Sequence, residues 1–190
     1  RREDREEELA PIINRPMPTV GETIETILNA GGIPVLAHPL EQLEYIPELV
    51  KLGLKGVEIN HPILTKEEMA EGINYAHSLG KKVYITANII PHNRDLAQME
   101  DYFKEIYELG ADAVLISDLG AFNICRKAAP DLEIHISTQA NNTHYATVQS
   151  WHEMGAARVV LAREMTLNEV REIRDNISPK CEIEAFVHGA

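Results

Sequence analysis

Cysteine is scarce: the chain holds two, Cys125 and Cys181, far apart and in no paired motif. That spacing argues against a disulfide framework and against a thiolate metal knuckle. Long apolar runs are also missing, and none approaches the roughly 20 residues that cross a bilayer. The charge run from Arg1 to Glu8 has no apolar secretory stretch behind it, so no membrane partner and a cytoplasmic address are expected. Basic residues are outnumbered, 18 Lys and Arg against 30 Asp and Glu, for a net charge of -12. Nucleic-acid affinity rests largely on neutralising phosphates, so direct nucleic-acid binding by this segment is disfavoured. Three catalytic signatures are absent as well: a glycine-rich phosphate loop after the first strand, a Gly-x-Ser-x-Gly elbow and a His-Glu-x-x-His helix.

What is present is a regular alternation. With 44% hydrophobic and 25% charged residues in 190 positions, the chain fits one globular domain. Short apolar runs at Pro34 to His38, Gly56 to Asn60, Lys82 to Ile90, Ala113 to Asp118, Leu132 to Ser137, Arg158 to Arg163 and Glu182 to His188 read as strands. Helix-period segments separate them: Leu43 to Leu52, Lys66 to Leu79, Asp95 to Leu109, Phe122 to Ala128, Tyr145 to Met154 and Leu167 to Asn176. Another, Val20 to Ala30, precedes the first strand, and Gly53, Gly80, Gly110 and Gly155 mark helix stops. Strands each followed by a helix pair in parallel through right-handed crossovers. Polar residues gather where the strands end, which favours a barrel over an open doubly wound sheet.

The expected fold is therefore α/β, a parallel (βα) barrel of TIM type with about seven strands. That is one strand short of the usual closure. A fragment, a chain completed by a partner copy in a homo-oligomer, or a seven-stranded barrel would each account for it. Residues 1–14 read as a disordered tail.

From about Thr65 the residues resemble a known family. The stretch from Glu71 to His77, then KKVYITANIIPHN, Gly110 to Val114, ISDLGAF, APDLEIHISTQANNTHYATVQSWHEMGAARVVLARE, MTLNEVREIR and EIEAFVHGA resemble the collagenase-like peptidase family U-thirty-two in order. Residues 65–190 carry this resemblance. Residues 15–62, with RPMPTVGETIETILNAGGIPVLAHP and LGLKGVEINHP, resemble instead the middle of a PHP (polymerase and histidinol phosphatase) phosphoesterase domain. A seam near Ile63 to Lys66 then suggests a chimera of two barrels, engineered or recombined, with no native activity as one alternative.

The first resemblance implies relatives that act in oxygen-independent hydroxylation of tRNA, ribosomal RNA or ubiquinone precursors. It also implies an iron-sulfur cluster and, in RNA-modifying members, prephenate. The family's cluster cysteines follow the Phe-Val-His-Gly-Ala motif on which this chain ends, so no cluster is expected in this chain, which would be catalytically incomplete. The peptidase label has no mechanistic support among these residues, since Cys125 has no base predicted beside it. The second resemblance implies a metal-dependent phosphoesterase with His38 as a metal ligand. The paired-histidine and Asp-x-His motifs that would complete that site are missing, so a divalent metal there is expected to be weak at most.

Site candidates follow from period-two alternation. It puts His135, Ser137 and Gln139 on one face of their strand, and Glu184, Phe186 and His188 on one face of theirs. Turned inward, His135, Gln139, Asn141, Arg163, Glu164, Glu184 and His188 converge near the barrel mouth as a ligand site. Arg163 suits a small carboxylate, gripped bidentately. The competing reading is structural: an internal ion pair of Arg163 with Glu164 or Glu184, and a polar layer that satisfies itself. Trp151, Tyr145 and Met154 read as helix residues packed on the sheet.

Overall fold

The computed structural model describes residues 18–36, 43–60 and 65–187, with backbone alone for 58–60. The expected tail at 1–14 and two site candidates, His38 and His188, lie outside the described residues. Within them, helix α1 (Val20–Asn29) leads into β1 (Val35–Leu36), and the chain then alternates through α2 (Ile46–Leu52), β2 (Gly56–Asn60), α3 (Lys66–Ser78), β3 (Lys82–Thr86), α4 (Asn93–Glu108) and β4 (Ala113–Ile116). It continues through α5 (Leu119–Ala128), β5 (Glu133–Ile136), α6 (Tyr145–Glu153), β6 (Arg158–Val160), α7 (Leu167–Asn176) and β7 (Glu182–Glu184).

Strand order in the sheet is strand order in the chain, and every ladder is parallel. A doubly wound sheet would reverse its order at a switch point. The unreversed order is barrel winding, and the seven strands form a curled part-barrel. Gly56–Asn60 pairs along its whole length with Lys82–Thr86, so the ladder runs unbroken across the proposed seam at 63–66.

Side-chain parity divides the apolar residues into two clusters. Val83, Ile85, Val114, Ile116, Ile134 and Ile136 face outward into the main core, where they meet Ile73, Phe103, Phe122 and Ile173 from the helices. Tyr84, Ala113, Leu115 and Val160 face the barrel interior. Burying one Ile or Leu is worth about 1.5–3 kcal/mol, so the outward cluster dominates the stability of the fold.

The helix ends explain why the chain turns where it does. Thr19, Thr65 and Thr166 each open a helix with a capping box closed by Glu22, Glu68 and Glu169. At the far end, Gly53 and Gly155 take φ of 111° and 106°, a conformation costly for any residue with a Cβ. Gly155 is also crowded by the Arg126 guanidinium, which donates to its carbonyl. Trp151 packs against Phe122 with ring centroids 5.6 Å apart, as expected, whereas Tyr145 and Met154 are exposed. Tyr145 is the first residue of its helix and Met154 its C-cap, so both stand at helix ends.

Candidate functional site

Parallel winding brings the carboxyl ends of the strands to one mouth, and a cleft of about 250 Å³ opens there. Asn88 reaches it from the segment after β3, Ser137, Thr138 and Gln139 from the turn after β5, Arg163 from the segment after β6, and Glu184 and Phe186 from β7 and beyond. Leu115 and Val160 form its apolar floor, the upper surface of the interior cluster.

Local backbone chemistry sets this geometry. Period two ends at Ile136, because Ser137 caps a 3₁₀ turn, Thr138–Ala140, its Oγ accepting from the Gln139 N–H at 3.3 Å. Gln139 therefore enters the cleft through the turn and not by strand alternation. The same Ser137 Oγ accepts from Asn88 Nδ2 at 3.1 Å, tying the β3 and β5 ends together. Asn141 follows at φ 55°, ψ 54°, a left-handed position that Asn tolerates better than most residues. Asn142 was missed from sequence. It is wholly buried and donates through Nδ2 to the carbonyls of Ser137 at 3.2 Å and Val160 at 2.9 Å, locking β5 to β6.

Three of the seven ligand candidates, Gln139, Arg163 and Glu184, share the cleft. Asn141 and Glu164 are exposed and do not line it, because the left-handed turn and the start of the α7 approach carry them outward. His135 differs too: it is 1% exposed, beneath the cleft, with its ring edge-on to Tyr84 at 4.9 Å. Its Nε2 is 3.5 Å from Glu133 Oε2, an electrostatic contact and not a directed hydrogen bond. That neighbour, aided by Lys82 and Arg158, draws the Glu133 carboxyl below the usual carboxylate range.

An interior ion pair does form at Glu184, with Arg158 as its cation. Arg158, which the sequence marks only as the first residue of a strand, lies inside the barrel, its side chain 10% exposed. Its Nε and Nη2 donate to Glu182 Oε2 at 2.9 and 2.6 Å, and Nη1 donates to Glu184 Oε2 at 3.1 Å. The guanidinium also lies 5.4 Å from the Tyr84 ring centre. Burial works against its charge, but the two carboxylates outweigh burial and hold its pKa above the ordinary arginine value. Arg163 stacks on Phe186, its Cζ 4.2 Å from the ring centre.

No three His, Cys, Asp or Glu side chains converge as a metal-ligand set among the described residues. Cys125 and Cys181 are buried, and burial pushes the Cys125 thiol up to about 12 and raises that of Cys181. Two cysteines fall short of the roughly four thiolates that hold an iron-sulfur cluster, so the residues present do not fit one. Among the described residues no helix is long and apolar enough to cross a membrane.

The winding has counterparts in known proteins. Two solved structures share the fold: the U32 peptidase Mk0906, with a TM-score of 0.63 at 15% identity over 80% of this chain and 68% of that one, and orotidine 5'-phosphate decarboxylase from Pyrococcus horikoshii OT3, with 0.61 at 15% identity over 83% and 80%. By sequence, the tRNA hydroxylation protein P of Escherichia coli (strain K12) is 45% identical over 139 residues, 73% of this chain and 29% of that protein. The tRNA hydroxylation protein P1 of Bacillus subtilis (strain 168) is 36% identical over 187 residues, 92% of this chain and 44% of that protein. The 23S rRNA 5-hydroxycytidine C2501 synthase of E. coli is 31% identical over 124 residues, 65% of this chain and 18% of that protein. This chain thus spans less than half the length of these curated relatives.

The Bacillus alignment runs across the 63–66 seam, and so does the profile of Peptidase family U32, which matches residues 43–190. Neither lends support to a phosphoesterase segment at 15–62 or to a chimera. Matched over more than half its length and across every residue of the cleft, this chain belongs to Peptidase family U32.

Proposed function

We propose that this chain is the barrel segment of an RNA-hydroxylating protein acting on transfer RNA, and that its mouth cleft receives a small carboxylate co-substrate of the prephenate type. The carrying observation is the 45% identity to a tRNA hydroxylation protein in a chain whose cleft presents an arginine beside amide and hydroxyl donors. Arg163 takes the carboxylate in a two-point grip, Asn88 and Gln139 offer amide hydrogen bonds, and Leu115, Val160 and Phe186 give the apolar walls.

An iron-sulfur cluster, which the family resemblance implies, would supply electron-transfer chemistry that amide and carboxylate side chains lack; the two buried cysteines of this chain do not fit as its ligands. With a net charge of -12, it also leaves phosphate binding to basic surface elsewhere in the assembly.

Deleting the gene that carries this segment and quantifying hydroxylated nucleosides in digests of tRNA and rRNA tests the proposal. The tRNA product should vanish and return with the wild-type full-length gene but not with R163A. An unchanged tRNA profile would overturn the reading, and selective loss from 23S rRNA would move the substrate to ribosomal RNA.

A further inference from the structure

Among the described residues Glu184 is the sole carboxylate lining the cleft, and the group that orients it, Arg158, lies outside the cleft. Arg158 ↔ Glu182 and Val160 ↔ Glu184 are ladder partners, so Arg158 meets Glu182 directly and Glu184 one inward position farther along β7. The guanidinium spends two of its donors on Glu182 and one on Glu184. All three bonds end on Oε2 of the respective carboxylate, and no described side chain hydrogen-bonds Glu184 Oε1.

We propose that Arg158 is a positioning residue of the cleft: it grips Glu184 from below, turning Oε1 toward the ligand as a fixed hydrogen-bond acceptor. The proposal rests on the function proposed above and adds to it the acceptor that pairs with a hydroxyl of the co-substrate while Arg163 holds its carboxylate.

Three features make this a device rather than a surface ion pair. The Arg158 side chain is 10% exposed while that of Glu184 is 31% exposed, so the clamp is sheltered and the clamped group is accessible. Tyr84 lies under the guanidinium and keeps it in the barrel interior. Glu182 occupies the Nε and Nη2 edge, which leaves the guanidinium no rotation that releases Glu184 without breaking two other bonds. A carboxylate so held needs no ordering when a ligand arrives.

The test uses the full-length protein that contains this segment, assayed for tRNA hydroxylation with prephenate as the varied co-substrate. E184Q should lower kcat/KM for prephenate about 10- to 100-fold, the factor expected for losing a hydrogen bond to a charged group. R158Q should match it, and R158Q/E184Q should fall no lower than E184Q alone. R126A removes a guanidinium that donates to the carbonyls of Pro130 and Gly155, lies over the Phe122 ring and does not line the cleft, so it controls for lost stability and should keep kcat/KM. Should R158Q not fold, R158K carries the comparison, since lysine keeps the charge without the fork. Unaltered kcat/KM in R158K or R158Q, or a double variant losing the product of the two single effects, would overturn the positioning role alone. A wild-type protein that hydroxylates no tRNA with prephenate would overturn the functional reading and this proposal with it.

Discussion

His77 Nε2 lies 2.9 Å from Asp112 Oδ2, and the same oxygen accepts the Val83 backbone N–H at 2.7 Å. One carboxylate thus joins the end of α3 to the start of β3 from the turn before β4. Val83 is fully buried, so removing the acceptor strands a backbone donor inside the barrel wall. Asp112→Ala should cost about 1–3 kcal/mol, the penalty for a buried unsatisfied donor, read from urea unfolding. His77→Ala should cost less, because it leaves the Val83 bond intact. Equal costs would show the histidine contact to be the important one.

The capping boxes predict an acid response. Hydrogen bonds from the threonine backbone and hydroxyl hold the carboxyls of Glu22, Glu68 and Glu169 below their ordinary value. A carboxylate with a lowered native pKa contributes stability that is fully present above the unfolded-state pKa and lost as pH falls through the native one. The melting temperature of wild type should therefore exceed that of E169Q at neutral pH and converge on it in acid. A gap that persists at acid pH would assign the difference to helix propensity instead. Thr166→Ala should cost about 1 kcal/mol at neutral pH, as for other caps.

Cys125 lies on α5 against the sheet, fully buried, with its thiol pushed up to about 12 by burial. Only the thiolate is nucleophilic, so neutral-pH alkylation of the native protein should leave Cys125 unmodified, while denaturant exposes it to rapid labelling. Peptide mass mapping after a timed iodoacetamide pulse checks this. Fast native labelling of Cys125 would reopen it as a nucleophile or a cluster ligand.

How much of this was legible in advance depends on the physics behind each feature. Pairs such as Val83 with Ile85 and Ile134 with Ile136 announce a strand face at period two, and Gly53 and Gly155 announce helix ends, because both signals are local. The role of Arg158 is not local. Its partners depend on the register between β6 and β7, which one chain's pattern does not reveal, so it stood out only as the first residue of its strand. His135 shows a related limit: parity correctly turned it inward, but depth along the barrel decides between a cleft wall and a buried layer. Asn141 carried a polar side chain in the right region, yet its left-handed backbone explains its presence there. The resemblance read into 15–62 rested on short motifs, and short βα motifs recur among barrels because strand-end chemistry is shared.

The cleft makes the last prediction. Arg163 stacks on Phe186 with its Cζ 4.2 Å from the ring centre, and Phe186 is 37% exposed. At such a wet site a cation–π contact is worth about 0.5–1 kcal/mol, enough to bias the guanidinium but not to anchor it. Prephenate should raise the melting temperature of the full-length protein, and R163A should abolish that shift by removing the charge. R163K should weaken binding about tenfold, since it keeps the charge and loses the two-point grip. F186A should weaken it only about two- to fivefold, the factor that 0.5–1 kcal/mol represents, because it removes the support and leaves the ligand contact in place. If F186A abolishes the shift as completely as R163A, the ring itself contacts the ligand, and the cleft selects for a flat apolar body as much as for a carboxylate.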